Sequence, residues 1–400
     1  MTKIPRFVEN GFVVSSMLVS TGALTLWRGG DDPGLGGRAT DPLLQAIWFG
    51  IYGVSLILLF ALRKRAVGAV GRNKLIWLLL GVILFSTYWS TIPEITLRRG
   101  IALVGTTLFG VYLATRYSLR EQLRLLAWTL GIAAILSLLV AIALPSYGHD
   151  STGEWRGIYA QKNILGRLMV MSAMVFFIIA LYSQRHRWIV WAMFGLSIGL
   201  IVLTASKTAL VNLVTLLALL ILYRLLRLHY NLAIPLSIFT ILAIGGVANL
   251  LSSNSEILLN SMGKNATLTG RTDVWDSVWY MISKRPILGY GYGGFWTSGA
   301  NGPALYIWLA TGWRPTHAHN GFLNLCLDIG FLGLSVYLIG YLFITMRAVN
   351  WIRLTKTAES FWPLTYMAFI FLYNQTESSL VGQNDIFWIL YTALCFSKYT

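Results

Sequence analysis

Apolar runs long enough to cross a membrane alternate with short polar loops along most of the chain. Runs of about 20 apolar residues are typical of transmembrane helices. The pattern predicts twelve spans, and their approximate bounds are 11–27, 43–62, 75–90, 100–115, 125–144, 164–183, 188–203, 208–223, 232–251, 319–345, 361–373 and 385–397. We therefore expect helices 1–9 within residues 1–251, one long loop over residues 252–318, and helices 10–12 within residues 319–400.

The composition agrees with an integral membrane protein. Charged residues make up 12% of the 400 residues, whereas soluble domains contain about 25%. The first apolar run lacks a small-residue cleavage site, so it is predicted to be a helix and not a signal peptide. Cys326 and Cys395 both lie in predicted spans, and no disulfide is expected. The expected fold class is all-α, with about twelve transmembrane helices.

The net charge of +16 at first suggests nucleic acid as a partner, but its distribution favours another explanation. Most of the 31 lysines and arginines lie in loops on the amino-terminal side, where few acids accompany them. The first such loop contains Arg63, Lys64, Arg65, Arg72 and Lys74. This asymmetry follows the positive-inside rule and predicts that both termini are cytoplasmic. We expect membrane lipid, and not nucleic acid, around this protein.

The long outward loop is too polar to span a membrane, yet residues 272–283 (TDVWDSVWYMIS) have helical apolar spacing. This stretch predicts an amphipathic helix that lies on the membrane or caps the helix bundle. The following run GYGYGG (289–294) is typical of tight turns. The loop is also rich in aromatic residues, which either stack on sugar rings or lie against lipid.

A second set of cations falls on the outward side and needs its own explanation. Its members are Arg98, Arg99, Arg156, Lys162, Lys207, Arg271 and Arg314. Contact with lipid headgroups explains about half of them. Arg167 and Lys207 lie at or within the predicted membrane boundary, where a charge is costly and usually functional. Several cations around one outward cavity would bind a multiply charged anion such as a phosphate.

His317 and His319 lie beside Arg314, where the outward loop meets the tenth span. An imidazole with a pKa of about 6.5 is mostly neutral at pH 7 and can act as a general base. A metal site is the alternative, but Asp273 and Asp276 are the only carboxylates that the sequence places nearby, and we expect no metal.

Nucleotide-binding motifs are absent from the sequence, which contains neither a P-loop nor a suitably placed GxGxxG. Nucleotide-activated substrates are cytoplasmic, whereas this site is expected to face outward. The substrate should therefore already be activated, and a lipid pyrophosphate fits this requirement.

These segments together resemble the O-antigen ligase and polymerase superfamily, whose members are multi-span bacterial enzymes that act on lipid-linked glycans. The resemblance covers most of the chain from Trp89 to Gly333. It is carried by WSTIP (89–93), WRGIYAQKNILG (155–166), SKTAL (206–210), TGRTDVW (269–275), PILGYGYGGF (286–295) and HAHNGFLNLCLDIGFLG (317–333). The second motif is more similar to the exopolysaccharide-polymerase branch than to the lipopolysaccharide ligases.

The resemblance implies a metal-independent, GT-C-like glycosyltransferase without a cofactor, located in the bacterial inner membrane with its active site facing the periplasm. Arg271 matches the arginine of the family's GRT motif and His319 the histidine of its HN motif; these are the expected catalytic residues. Lys207 stands where many relatives are expected to have arginine, and lysine lacks the paired hydrogen-bond geometry. The expected pyrophosphate-binding residues are Arg156, Lys162, Lys207, Arg314 and Arg99, and the expected supporting residues are His317 and Asn320.

The function expected from the resemblance is polymerisation of undecaprenyl-pyrophosphate-linked repeat units by inverting transfer to a glycan acceptor. A chain-length regulator protein is a candidate partner. Ligation of finished glycan to lipid A–core is the first alternative. A transporter or flippase for an anionic glycolipid is the second, although Asp328 is the one clear intramembrane acid that the sequence predicts.

Overall fold

The structure is a computed structural model, and it describes residues 5–23, 42–183, 186–225, 227, 271–297, 299 and 302–399. Its α-helices are, in chain order, α1 (Arg6–Ser20), α2 (Pro42–Ala61), α3 (Arg63–Val70), α4 (Lys74–Phe85), α5 (Pro93–Arg116), α6 (Leu119–Ala143), α7 (Pro145–Gly148), α8 (Lys162–Ala180), α9 (Arg187–Leu203), α10 (Lys207–Leu225), α11 (Arg271–Lys284), α12 (Ala304–Thr311), α13 (Gly321–Leu354), α14 (Phe361–Tyr373) and α15 (Ile386–Phe396). The described residues contain no strand beyond one isolated bridge, which confirms the all-helical expectation for them.

Six of these helices are long and apolar enough to cross a membrane, namely α2, α5, α6, α8, α10 and α13. The pair α3 and α4 would add a seventh, but its two pieces are bent by 81°. Helices α9 and α15 are apolar but have only 17 and 11 residues, fewer than the roughly 20 that span the hydrocarbon core. The count of twelve spans stays a prediction, and the predicted span 232–251 lies outside the described residues.

Several predicted boundaries differ from the structure, and two of them bear on the basic residues of the chain. The basic segment after α2 is a helix, α3, and not an open loop, because it lacks proline and buries Ala66 and Ala69 on one side. Helix α5 begins at Pro93, seven residues earlier than predicted, since proline is well suited to the first helical position. Arg98 and Arg99 therefore lie in the second turn of α5 and not ahead of it.

Polar side chains tie several helix ends together at the basic end of the bundle. Ser397, just after α15, accepts hydrogen bonds from Arg347 of α13 and from Gln122 of α6, both at 3.0 Å. Arg116, at the end of α5, makes two 2.7 Å bonds to the carboxylate of Glu9 in α1. The basic loops thus meet at one end of the bundle, and their cytoplasmic orientation stays a prediction of the charge pattern.

The amphipathic helix expected within the long loop is present as α11. Its buried residues Val274, Val278 and Ile282 pack with Phe295 and Ile307 in an apolar cluster separate from the bundle core. This cluster joins α11, segment 286–297 and α12 to the first part of α13. We call α11, segment 286–297 and α12 together the cap, because they cover the beginning of α13.

Helix α13 is broken after two turns. Ile329 and Gly330 have non-helical backbone angles, and Gly330 has a φ of 65°. A side chain at Gly330 would place its Cβ 2.1 Å from the carbonyl oxygen of Ile287. Glycine is required here for two reasons, a left-handed backbone and the close approach of segment 286–290.

Segment 286–290 supplies hydrogen-bond partners for the broken helix. Three backbone bonds join the two segments, and they run from Phe331 N to Pro286 O (2.8 Å), from Leu332 N to Ile287 O (3.2 Å) and from Tyr290 N to Leu327 O (2.8 Å). Non-helical backbone at membrane depth is tolerated where protein satisfies it in this way. The motifs PILGYG and LDIGFLG are therefore one structural unit.

Replacing Gly330 by alanine should lower the stability of the protein. The strained φ and the clash with Ile287 together should cost about 2–4 kcal/mol, measured as a lower midpoint of thermal unfolding in detergent. The matched control is Gly199→Ala, because Gly199 lies in α9 with open space around it. The control should be neutral or slightly stabilising; equal midpoints for both variants would contradict the proposed unit.

Candidate functional site

The two histidines lie together in the segment that connects α12 to α13. The backbone N–H of His319 donates to Nδ1 of His317 at 3.1 Å, and the ring centroids are 4.1 Å apart. Because Nδ1 of His317 accepts this bond, the hydrogen of its neutral ring is carried by Nε2. His319 has a φ of 49°, an unusual backbone conformation of the kind that concentrates at functional sites.

Neighbouring residues hold the histidine segment in place. Asn320 caps α13 and accepts hydrogen bonds from the backbone N–H groups of Phe322 and Leu323 at 3.0 and 3.1 Å. The indole of Trp275 in α11 donates to the carbonyl of Ala318 at 2.9 Å. Asn320, the expected supporting residue, thus fixes the backbone beside His319 through the helix end.

Glu377 is the carboxylate that the fold brings to the histidines. Ring nitrogens of His317 and His319 and a carboxylate oxygen of Glu377 all lie within 4.8 Å of one another. Glu377 follows α14 in a loop that Asn374 anchors. The backbone N–H of Gly321 donates to the carbonyl of Asn374 at 2.9 Å, which docks this loop on the start of α13.

Arg167, in the second turn of α8, lies beside the same loop. Its Nη1 donates to the hydroxyl of Tyr373 at 3.2 Å and to that of Ser379 at 2.9 Å. Its guanidinium also lies 5.0 Å from the ring centroid of Phe387. Its buried Nε has no partner among the described residues, and their ion pairs within 4 Å do not include it. Arg167 therefore carries a charge that only neutral groups contact directly.

A small, partly open cavity borders Arg167 between α8, α10 and α14. Its lining includes Asn163, Arg167, Ser206, Asn212, Tyr373 and Glu377. Asn163 links two walls of the cavity, because it donates to Glu377 at 3.4 Å and accepts from Ser206 at 3.3 Å. The motifs KNILG and SKTAL thus meet at this cavity.

The histidines and Glu377 lie in loops between helices, and their surroundings shift their protonation. Burial, with help from the positive charge of Arg271, lowers the pKa of His319 to about 4. Burial and repulsion from His319, Arg167 and Arg271 lower the pKa of His317 to about 3. Burial raises the pKa of Glu377, although both arginines act in the opposite direction. Both imidazoles are therefore neutral at pH 7, and His319 has a ring nitrogen, Nδ1, without a hydrogen-bond partner among the described residues.

The site thus combines two guanidinium groups, Arg167 and Arg271, with two neutral imidazoles and one carboxylate. Two imidazoles and a carboxylate are also a ligand set for a divalent cation. The charge of Arg271 acts on all three groups and that of Arg167 on His317 and Glu377, and these charges oppose a bound cation as they oppose a proton. The positive charge of the two guanidinium groups therefore favours an anion over a metal ion at this site. The expectation of no metal stays a prediction.

Two of the expected pyrophosphate ligands lie at or just before the start of α8. Arg156 donates to the carbonyls of Tyr147 at 3.0 Å and of Ala160 at 3.4 Å. Lys162 forms an ion pair with Glu154. Both cations therefore have partners in their own segment.

The other three expected ligands lie on separate elements. Lys207 is exposed at the start of α10, one residue after Ser206. Arg314 is exposed, with its guanidinium 5.5 Å from the ring centroid of Trp308. Arg99 donates to the carbonyl of Gly293 at 2.9 Å and thereby attaches the glycine-rich segment of the cap to α5. Among the cations predicted as site residues, Arg271 is the one whose charge acts on the two histidines in the structure.

The chain resembles known proteins over most of this region. Residues 192–338 match the family model described as O-antigen ligase. The chain is also 24% identical over 299 residues to the exopolysaccharide production protein ExoQ of Rhizobium meliloti (strain 1021), which covers 71% of this chain and 67% of the relative. These two matches confirm the resemblance to the O-antigen ligase and polymerase family that the motifs carry. The segment matched to the family model runs from α9 into α13 and contains Arg271, His317 and His319.

Motif matching with this family identifies Arg271 and His319 but misses Arg167 and Glu377 as site residues. The sequence indicates that Arg167 lies within the membrane boundary, where a charge is usually functional. The motifs did not include it among the expected site residues. Glu377 lies in the polar segment NQTESSLVGQ between two short apolar runs. An acid in such an interruption was the available signal, and its contact with the histidines depends on tertiary packing.

Arg167→Gln should weaken anion binding, because it removes a guanidinium beside the cavity, and should lower the stability modestly, because the hydroxyls of Tyr373 and Ser379 lose a charged donor. Inorganic pyrophosphate at 100 times its Kd should stabilise the wild type by about 2.7 kcal/mol. The variant should unfold at a slightly lower temperature without pyrophosphate and show a smaller upward shift with it.

Arg285→Gln is the control, since Arg285 contacts the Tyr290 ring and the carbonyl of Trp89. It should keep the wild-type shift with pyrophosphate. A lower unfolding temperature for Arg167→Gln together with a full pyrophosphate shift would mean that Arg167 is purely structural.

Proposed function

We propose that this protein polymerises undecaprenyl-pyrophosphate-linked oligosaccharide repeat units by inverting glycosyl transfer. The resemblance to this family supports glycan chemistry, and the name of the relative ExoQ favours exopolysaccharide as the product. The observation that carries the proposal is the convergence of Arg167, Arg271, His317, His319 and Glu377. This set provides positive charge for a diphosphate beside a neutral base.

In the proposed reaction, Arg167 and Arg271 bind the diphosphate of the donor. A hydroxyl oxygen of the acceptor sugar attacks the anomeric carbon of the donor while its proton passes to His319. The bond from the anomeric carbon to the phosphate oxygen breaks, and its electron pair leaves with the lipid diphosphate. A single displacement of this kind inverts the anomeric centre. The guanidinium groups stabilise the charge that develops on the leaving group.

Donor binding also strengthens the base in this scheme. The charge of Arg271 lowers the pKa of His319 in the empty site. A diphosphate next to Arg271 offsets that charge, so the pKa of His319 rises toward neutrality once the donor is bound. The base is then most effective when a donor is present to react.

We place the protein in the bacterial inner membrane, with its basic end in the cytoplasm and the site on the periplasmic face. The charge distribution supports this orientation. In this arrangement residues 1–251 and 319–400 hold the membrane helices, and residues 252–318 form the periplasmic loop that carries the cap. Arg156, Lys162, Lys207, Arg314 and Arg99 then lie on the site side as supporting cations, and a chain-length regulator protein remains a proposed partner.

Ligation of finished glycan to lipid A–core is the second candidate, and the description of the matching family model favours it. The two reactions differ in acceptor and not in chemistry. Product analysis separates them, because a polymerase yields a ladder of repeat lengths on lipid diphosphate. A ligase yields glycan attached to lipid A–core.

Arg271→Ala and His319→Ala should each reduce product formation by at least 100-fold, because they remove charge stabilisation and the base. Their abundance in the membrane should match the wild type. Lys284→Ala is the control, since Lys284 lies over the ring of Tyr280 and should keep full activity. Wild-type rates in both site variants would refute this mechanism.

The pH profile should report the shifted pKa of His319. With a pKa of about 4 in the free enzyme, His319 stays neutral down to about pH 5, and kcat/KM for the donor should change little between pH 7 and 5.5. The acid limb of kcat should lie at higher pH, because the bound diphosphate raises the pKa. An ordinary histidine would instead lose roughly eightfold in kcat/KM over this interval.

A further inference from the structure

The segment that carries the histidines also carries a tryptophan that the fold does not use. Trp313 follows α12, and its side chain is 42% exposed. Its ring centroid lies 6.0 Å from that of His319. Its indole N–H makes no hydrogen bond with any residue that the structure describes, so this donor remains available to a ligand.

Three other tryptophans of the cap have structural partners. Their indole N–H groups all donate within the cap and its junction with α13. The bonds run from Trp275 to Ala318 O (2.9 Å), from Trp296 to Asn324 Oδ1 (2.8 Å) and from Trp308 to Pro315 O (3.0 Å). Trp308 and Trp296 are buried. These side chains stabilise the segment from which Trp313 projects.

The backbone around Trp313 is also fixed. Gly312 ends α12 with a φ of 74° and donates to the carbonyl of Trp308 at 3.1 Å. The hydroxyl of Thr311 donates to the carbonyl of Trp313 at 3.2 Å. A large aromatic face is thus presented by a rigid segment at the position next to the base.

We propose that Trp313 is the stacking platform for the acceptor sugar. A pyranose ring has an apolar C–H face and a polar rim of hydroxyls. With the C–H face on the indole, the rim points sideways, and a hydroxyl reaches the neighbouring His319. Trp313 thereby determines that the acceptor is a sugar with an unobstructed C–H face. The inference rests on the proposed function insofar as it takes the bound sugar to be the acceptor.

The kinetic test uses the soluble repeat-unit oligosaccharide, released from the producing cell's own polysaccharide, as acceptor at saturating lipid-linked donor. Trp313→Ala should raise the KM for this acceptor about tenfold. The kcat and the KM for the donor should stay within about twofold of the wild type. Trp313→Phe should restore most of the loss, because a ring can still stack.

Trp279→Ala is the matched control. Trp279 is 51% exposed on α11 and has no aromatic contact with His317 or His319 in the described part of the chain. It should leave the acceptor KM unchanged. An unchanged acceptor KM in Trp313→Ala, or an equal rise in Trp279→Ala, overturns the platform and favours contact with lipid.

A binding measurement separates this inference from the proposed function. Saturation-transfer NMR with the same oligosaccharide and the purified protein in detergent needs no turnover. Signals of ring C–H protons should appear with the wild type and with Trp279→Ala, and should fall severalfold with Trp313→Ala. If no glycosidic bond forms in any assay but this pattern holds, the proposed function fails and the sugar platform stands. If turnover occurs and the NMR signals are the same with Trp313→Ala as with the wild type, the platform is refuted and the proposed function stands.

Discussion

The exchange of backbone hydrogen bonds between segment 286–290 and the break in α13 is the constraint on which the site depends. Without it, Ile329 and Gly330 would leave peptide groups unpaired beside an apolar layer. With it, the first two turns of α13 become a separate short helix that packs within the cap. This short helix begins directly after His319 and Asn320. The position of the base is therefore set by a hydrogen-bonded junction two turns away from it.

The other half of the site depends on the bundle. Arg167 is fixed by α8, by the Tyr373 hydroxyl at the end of α14 and by Ser379 beyond it. Asn374 docks the same loop onto the start of α13, which brings Glu377 to the histidines. Cap and bundle thus each contribute cations and proton acceptors. A change in how these two parts pack would separate the anion site from the base.

Local sequence was enough to predict the helices but not the long-range parts of the fold and the site. Apolar runs predicted the membrane helices because burial in lipid requires them, and helical spacing predicted α11. The break at Gly330 was not predicted. A glycine within an apolar run does not reveal the partner segment that supplies hydrogen bonds to the broken helix. The charges of residues 63–65 suggested a loop, but these residues are compatible with helical backbone and begin α3. Arg271 and His319 were found through motifs, whereas Glu377 is distant in sequence and is brought to them by tertiary contacts of Asn374 and Asn163.

The cations expected on the outward side differ in whether they already have protein partners. This difference distinguishes cations that could bind an anion directly from those that could only attract it from a distance. Lys162 is paired with Glu154, and Arg99 is held by the Gly293 carbonyl. The number of positively charged residues in this set is therefore larger than the number of cations available to bind a diphosphate directly. Cations with protein partners still contribute to the field, which extends about 8–10 Å at physiological ionic strength. In the proposed reaction they would attract an anionic lipid toward the site, while direct stabilisation of the leaving group would fall to guanidiniums such as Arg167, whose direct contacts are neutral.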